Sequence, residues 1–407
     1  MPKTIAILVT LDTKDQEAAY LKDQIESKGD NALIMDIGVI GTAGITADLS
    51  RESIAEAGGT PLQHILENPT REAAGPIMVK GSIALLQKLI TEDRVHAVLG
   101  LGGTQGTTSC CNIMQALPYG FPKIMVSTVA SGDTSSFVGI KDITMMFSVS
   151  DILKLNPFTR KVLSNAAAAA CGMAQTGSVF EQQKSDKPLI GISNLGVITK
   201  GTIKAIEHFN AKGYEVIVFH AVGSGGRAME QMMKEGIIGA VFDYAMGEIA
   251  DDVWKVLRAG GPERLTVAGK LGLPQVLCPG GAEHLGILVP ENEVPEAYTD
   301  HDHVFHSPIV FVPRLNAQEM EQVADSICER LQHTQGNAYF LLPLQGVGDY
   351  SKPGGALEDK VSDAAFFARI KEKLPKGITL MERDAYIEDT EFVTEAADLL
   401  ISLIEKQ

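Results

Sequence analysis

The chain has 407 residues, 45% hydrophobic and 21% charged, with 35 Lys and Arg against 51 Asp and Glu for a formal net charge of −16. That length suits two domains of roughly 100–200 residues each, and the mixture is globular, which excludes disordered, collagen-like and disulfide-stapled classes. The acidic balance repels a phosphate backbone, so nucleic acid is not expected as a partner; apolar runs such as Thr4–Val9 and Val304–Val312 fall short of the ~20 residues of a bilayer span, and Met1–Ile5 opens no export signal, so a cytoplasmic protein without membrane contact is expected. Five cysteines with no CxxC pair predict reduced, buried thiols.

In chain order, Thr4–Val9 reads as a strand and Asp15–Lys28 as a helix with Ala18, Leu21 and Ile25 on one face, stopped by Gly29. Asn31–Ile37 is a second strand and Arg71–Glu92 a long helix. Val95–Leu99, a glycine turn over Gly100–Gly106, a helix over Thr107–Ala116 and a strand over Lys123–Val129 follow, then an Ala-rich helix over Phe158–Met173. The polar stretch Gly177–Lys187 marks a boundary, giving domains 1–180 and 187–407. Beyond it the pattern restarts: strands at Leu189–Ser193, Glu215–His220, Ile237–Asp243, Gln275–Cys278, Ile309–Val312, Ala338–Leu342 and Ile378–Met381, and helices at Thr199–Lys212, Arg227–Glu235, Gln318–Gln332, Asp363–Leu374 and Phe392–Ile404. Apolar strands alternating with amphipathic helices predict two α/β domains, each a doubly wound, Rossmann-like parallel sheet.

The strongest chemical signal is Gly100-Leu101-Gly102-Gly103-Thr104-Gln105-Gly106-Thr107-Thr108, after a strand and opening a helix. Glycines let the backbone approach an anion, and free amides at a helix start favour phosphate. The spacing is neither GxGxxG nor the P-loop. A second polar turn, Ser127 to Ser136, follows the next strand; within it Ser131, Gly132, Asp133 and Thr134 are candidate nucleotide contacts, with Asp133 placed to take a Mg²⁺ carried by phosphates. Asp12, Thr13 and Lys14 end the first strand, and Asp36 and Gly38 the second, where an acid suits a ribose diol.

The second half carries its own candidates. Gly225, Gly226 and Arg227 follow a strand and suit an anionic substrate. His220, Glu248 and His284 each lie at or just past a strand end and form a candidate proton-transfer set. His301, His303 and His306 have a spacing that tempts a metal reading but places His306 on the opposite strand face. Serine-hydrolase, zincin and P-loop motifs are missing.

Segments LDTK at 11–14, GLGGTQGT at 100–107, VSTVASGDTS at 126–135, ITMMFSVSDILKLN at 143–156, LSNAAAA at 163–169, FHAVGSGGRAME at 219–230 and LPLQGVG at 342–348 carry an end-to-end resemblance. On them the chain resembles the ATP-binding family represented by the N-terminal half of the tomato mosaic virus resistance protein. The resemblance implies two Rossmann-like domains, a homodimer, and ATP held by Gly102, Gly103, Thr104, Gly106 and Thr107 together with Ser131, Gly132, Asp133 and Thr134. Relatives fused to, or encoded beside, a TIM-barrel protein resembling phosphoenolpyruvate hydrolases imply small-molecule metabolism. The expectation is therefore an ATP-binding cytosolic enzyme acting on a small anionic metabolite of carbohydrate or keto-acid type. The alternative is a non-catalytic nucleotide-binding protein in which ATP stabilises the dimer.

Overall fold

Strand β1 (Thr4–Val9), Thr-Ile-Ala-Ile-Leu-Val, is apolar without alternation, and five of its six residues are buried, as a strand covered on both faces must be. The computed structural model describes residues 1–67, 69–177 and 187–406, and the chain separates into a first unit over residues 1–183 and a second over 184–407. The first unit continues with α1 (Leu11–Glu26), β2 (Asn31–Asp36), α2 (Arg51–Ala57), α3 (Leu62–Glu67) and α4 (Arg71–Thr91). Then come β3 (Ala97–Gly102), α5 (Thr104–Gln115), β4 (Lys123–Ser127), α6 (Ser135–Val138), β5 (Thr144–Phe147) and α7 (Pro157–Gln175). Its sheet runs β2-β1-β3-β4-β5 with every neighbour parallel. One face is sealed by α1 and α7 through Leu21, Ile25, Leu163 and Ala170, the other by α2, α4 and α5 through Ile54, Met78, Leu86 and Met114.

The second unit holds β6 (Ile190–Asn194), α8 (Thr199–Ala211), β7 (Val216–His220), α9 (Ser224–Lys234), β8 (Ala240–Ala245), α10 (Gly247–Trp254), α11 (Val267–Leu271) and β9 (Gln275–Gly280). After β9 come β10 (Ile287–Leu288), β11 (His303–Ser307), β12 (Val310–Pro313), α12 (Ala317–Arg330), β13 (Ala338–Pro343), α13 (Lys360–Lys373), β14 (Thr379–Arg383) and α14 (Thr390–Ile404). The main sheet is again parallel throughout, in the order β14-β13-β9-β8-β6-β7. Both units are thus doubly wound, Rossmann-like sheets. In each, the strand order reverses beside the first strand, between β1 and β3 and between β6 and β8, which is where such sheets open a crevice at their carboxyl ends.

Some elements depart from the sequence expectation. The Ile309–Val312 strand does not join the parallel alternation: as β12 it is the middle of a small antiparallel sheet, β10-β12-β11, inserted between β9 and β13. β5 went unread because it is an edge strand with a half-exposed, methionine-rich sequence. The expected seven-residue glycine turn contracts to one residue, since β3 runs on to Gly102 and α5 starts at Thr104. Within α4, Glu72–Thr91 is long and apolar enough to cross a membrane by length and composition, yet its Ala74, Met78, Leu86 and Leu89 are core residues of the first unit.

All five cysteines are free and buried. Burial pushes the thiols of Cys171 and Cys328 up to about 12 and that of Cys111 to about 11, and raises Cys110 and Cys278 further.

Candidate functional site

In the first unit the carboxyl ends of β1, β2 and β3 enclose a cavity of about 390 Å³, within the ~300–1,000 Å³ usual for small-molecule sites. Gly103 alone joins β3 to α5, and it has no side chain to cap the helix. The first-turn amides of α5 therefore have neither an intrahelical acceptor nor a capping side chain, and the positive end of the helix dipole faces the cavity. A Cβ at Gly103 would meet nothing nearer than Thr128 Oγ1 at 3.7 Å, so the space beside it is open. Thr104, Gln105, Gly106 and Ser109 complete this polar wall.

The neighbouring glycine does different work. A Cβ on Gly102 would lie 2.7 Å from Gly106 Cα, so Gly102 lets the helix press against the strand end while its own backbone borders the cavity. Thr107 is fully buried; its Oγ1 lies 2.7 Å from Ser127 Oγ and holds the end of β4 rather than facing a ligand.

Asp12, Thr13 and Lys14 line the cavity from the first turn of α1, not from a preceding loop. Lys14 is the kink of that helix (φ −136°, ψ 31°), and its Nζ donates to the Ile152 carbonyl at 2.8 Å. Gly38 lines the cavity, whereas Asp36 lies beneath it: its Oδ1 accepts from the amides of Leu11 (3.1 Å) and Gly38 (3.0 Å), pinning two loops together.

Ser131, Gly132, Asp133 and Thr134 do not border this cavity. They form an exposed turn after β4 in which Asp133 accepts from the Ser135 amide at 2.9 Å, a bond that holds its carboxyl below the usual range. Sequence reasoning missed the apolar wall, made by Ile37, Val39 and Ile40 after β2 and by Ala74, Met78 and Val79 of α4. The i, i+4 pair Ala74 and Met78 on α4 was the available signal.

The second unit fills its corresponding places from within. Glu248, in the first turn of α10, is fully buried, and its Oε1 accepts from the amides of Gly223 (2.6 Å) and Gly226 (3.0 Å) at the start of α9. The loop expected to hold an anionic substrate thus already holds a carboxylate of its own chain. A Cβ on Gly226 would lie 1.9 Å from Glu248 Oε2, and one on Gly225 would lie 1.9 Å from the His220 carbonyl oxygen. Arg227 folds back so that its Nε donates to the Gly223 carbonyl at 3.2 Å.

Behind this loop the buried Arg264 guanidinium donates to Glu248 (2.7 Å), to both oxygens of Asp243 (2.5 and 2.6 Å) and to Glu230 (3.4 Å). Burial pushes the Glu230 carboxyl up to about 7, against the pull of Arg264.

His220, Glu248 and His284 do not come together: no hydrogen bond links them among the described residues. His220 ends β7 with its side chain exposed. His284 is buried in a different cluster, where its Nε2 lies 3.2 Å from Arg258 Nη1 and its Nδ1 lies 3.2 Å from Glu283 Oε1. Arg258 is in turn clamped by both oxygens of Asp251. Burial works to raise the Glu283 carboxyl, but His284 and Arg314 outweigh it and hold Glu283 below the usual range. The three-histidine stretch also disperses: His301 pairs with Glu319 at 3.0 Å, His303 packs on Phe311 and His306 meets the Tyr350 hydroxyl at 3.2 Å. Among the described residues no group of three or more His, Cys, Asp or Glu is arranged to hold a metal ion.

The two halves of the chain match the two domains of one known protein family. Residues 3–178 match the N-terminal domain and residues 187–404 the C-terminal domain of the uncharacterised protein family UPF0261. A UPF0261 protein of Clostridium tetani is 37% identical over 407 residues, covering 100% of both chains. The ToMV resistance protein Tm-1(GCR237) of Solanum lycopersicum is 28% identical over 98% of this chain and 55% of its own length. Among solved structures, the UDP-GlcNAc 2-epimerase of Methanocaldococcus jannaschii aligns with 98% of this chain and 92% of its own at 9% identity and a TM-score of 0.23. The chain belongs to family UPF0261.

Proposed function

We propose that this member of family UPF0261 binds ATP in the first unit, with the phosphates on the amides of the Gly103–Gly106 turn and the adenosine against Ile37, Val39, Met78 and Val79. The observation that carries this reading is the cavity at the β1/β3 reversal, polar and amide-lined on one wall and apolar on the other. Asp12, the carboxylate among the described residues on this wall, would take a Mg²⁺ carried by the phosphates, in place of Asp133 on its exposed turn. The protein then works in small-molecule metabolism, as the family resemblance implies, and in the cytoplasm, as its reduced thiols and N-terminal sequence lead one to expect.

A second reading has ATP bound without turnover, stabilising a homodimer. One observation favours it: the amine of Lys14, the cation among the described residues on the cavity wall, is already engaged by the Ile152 carbonyl. Titration calorimetry with Mg·ATP, followed by measurement of ADP release, tests both. Binding with release supports an enzyme, binding without release supports the second reading, and no heat with ATP or ADP removes the nucleotide from either.

A further inference from the structure

A second cavity, of about 270 Å³, lies wholly within the second unit where the chain leaves β13. Leu344 and Gln345 follow directly on that strand, so the cavity sits at a carboxyl end, where parallel sheets carry their ligands. Its far wall is the start of α13, with Asp363, Ala364 and the ring of Phe367.

Asp363 is 7% exposed and lines this cavity. Its Oδ1 accepts from Arg314 Nη2 at 2.6 Å, while Oδ2 accepts no hydrogen bond from any described residue. Arg314 is itself held by the carbonyls of Glu283, Leu315 and Leu357, so the carboxyl is fixed in place from behind. Ser351, also on the wall, donates to Glu283 Oε1 at 3.3 Å, and Glu283 Oε2 is buried with no partner. Buried polar atoms left unpaired are uncommon and call for an explanation.

Charge and hydrogen-bonding capacity narrow the ligand. Among the described residues on the wall the cation is Lys360, and it pairs with Glu358, also on the wall, at 3.4 Å. The first-turn amides of α13 at Val361 and Ser362, which would otherwise draw an anion, are taken by Asp359. An anion would therefore face carboxylates with no free partner. A cation gains little either, because Arg314 already stands behind Asp363 and Lys360 beside Glu358. The groups with acceptor capacity to spare are Asp363 Oδ2, the side-chain oxygen of Gln345, whose Nε2 donates to Asp384, and, beyond the bonds it already makes to the Gly354 amide at 2.7 Å and to Lys360, the carboxylate of Glu358. Such a wall asks for a neutral ligand rich in donors, with one apolar face for Phe367.

We propose that this cavity is a second ligand site, taking a small neutral polyhydroxylated molecule of the carbohydrate or polyol class, with Asp363 as its central polar contact. Burial pushes that carboxyl up to about 7, so near neutrality it both donates and accepts toward a hydroxyl. The site replaces the expected anion-binding loop at 223–226 as the second unit's ligand position, and it stands or falls independently of the nucleotide.

Saturation-transfer NMR on the full chain with glucose, N-acetylglucosamine and myo-inositol, beside cationic glucosamine and anionic gluconate, tests it. At least one neutral probe is expected to bind in preference to both charged ones. Ala364→Trp, at an exposed position on the cavity wall, is expected to weaken binding at least about tenfold with the circular dichroism spectrum unchanged. Glu358→Gln is expected to cost a few-fold, and Gly103→Val nothing. Preference for glucosamine or gluconate, equal binding by Ala364→Trp, or no neutral binding up to about 50 mM overturns the proposal.

Discussion

The first and second units wind their sheets the same way around the first strand, and in both the next strand inward hands over to a helix within a single residue. At that handover the first unit places Gly103 and leaves the amides of α5 facing an open cavity. The second places Met246 and Gly247 and then Glu248, whose carboxylate reaches the amides at the start of α9. A glycine-rich turn before a helix states a demand for negative charge, and nothing within the turn says whether a ligand or the chain's own acid meets it. The deciding residue in the second unit lies 22 positions beyond Gly226.

The contrast can be broken most forcefully at Arg264. Replacing it by Met leaves three buried carboxylates without their shared cation, so the second unit should lose about 3–5 kcal/mol. Urea unfolding followed by the fluorescence of Trp254 in that unit reads the loss; an unchanged midpoint would mean the cluster holds nothing together. Glu248→Ala comes next. It strips the anion from α9 and should cost about 2–3 kcal/mol, part of which returns when formate is added to the variant but not to the native protein. Failure of formate to stabilise the variant would argue that the loop needs no anion.

On the first unit's side, Gly103→Val should weaken ATP at least about tenfold, or ~1.4 kcal/mol, while the melting temperature without nucleotide barely moves, since the added carbons enter open space. Gly102→Ala reverses that pattern: stability falls first, because the new Cβ meets the Gly106 backbone. If both variants behave alike, the two glycines do not divide the labour as described.

The smallest effect is a pH dependence. Glu230 has its carboxyl raised from 4.5 to about 7, so the folded chain binds this proton more tightly than the unfolded one. Its contribution is complete below pH 4.5 and is lost as pH rises through about 7. Stability of the second unit should fall between about pH 5 and pH 8, and Glu230→Gln should flatten that fall. A slope the same as wild type would assign the dependence elsewhere.

The fold was largely legible in the sequence because unbroken apolar runs such as Ile5–Val9 and Val276–Cys278 admit little besides a strand covered on both faces. The first unit's cavity was half legible. Its glycine turn is local and shows in the sequence, whereas its apolar wall is assembled from Ile37–Ile40 and α4, more than 30 positions apart in places. The second unit's candidates misled because a histidine or acid at a strand end looks alike whether it faces solvent, as His220 does, or is locked to a buried guanidinium, as Glu248 is. Asp363 escaped notice because its surroundings come from Arg314, 49 positions earlier, which no local pattern reveals.

The five buried thiols divide unevenly: Cys110, Cys111 and Cys171 in the first unit, Cys278 and Cys328 in the second. With their ionisation suppressed by burial they are slow nucleophiles while folded, and each becomes reactive when its own half opens. A short exposure to an alkylating reagent during denaturation, read by mass, therefore records the two halves separately without any engineered label. Repeated with and without added ATP, it would show directly whether the nucleotide steadies one half, both or neither.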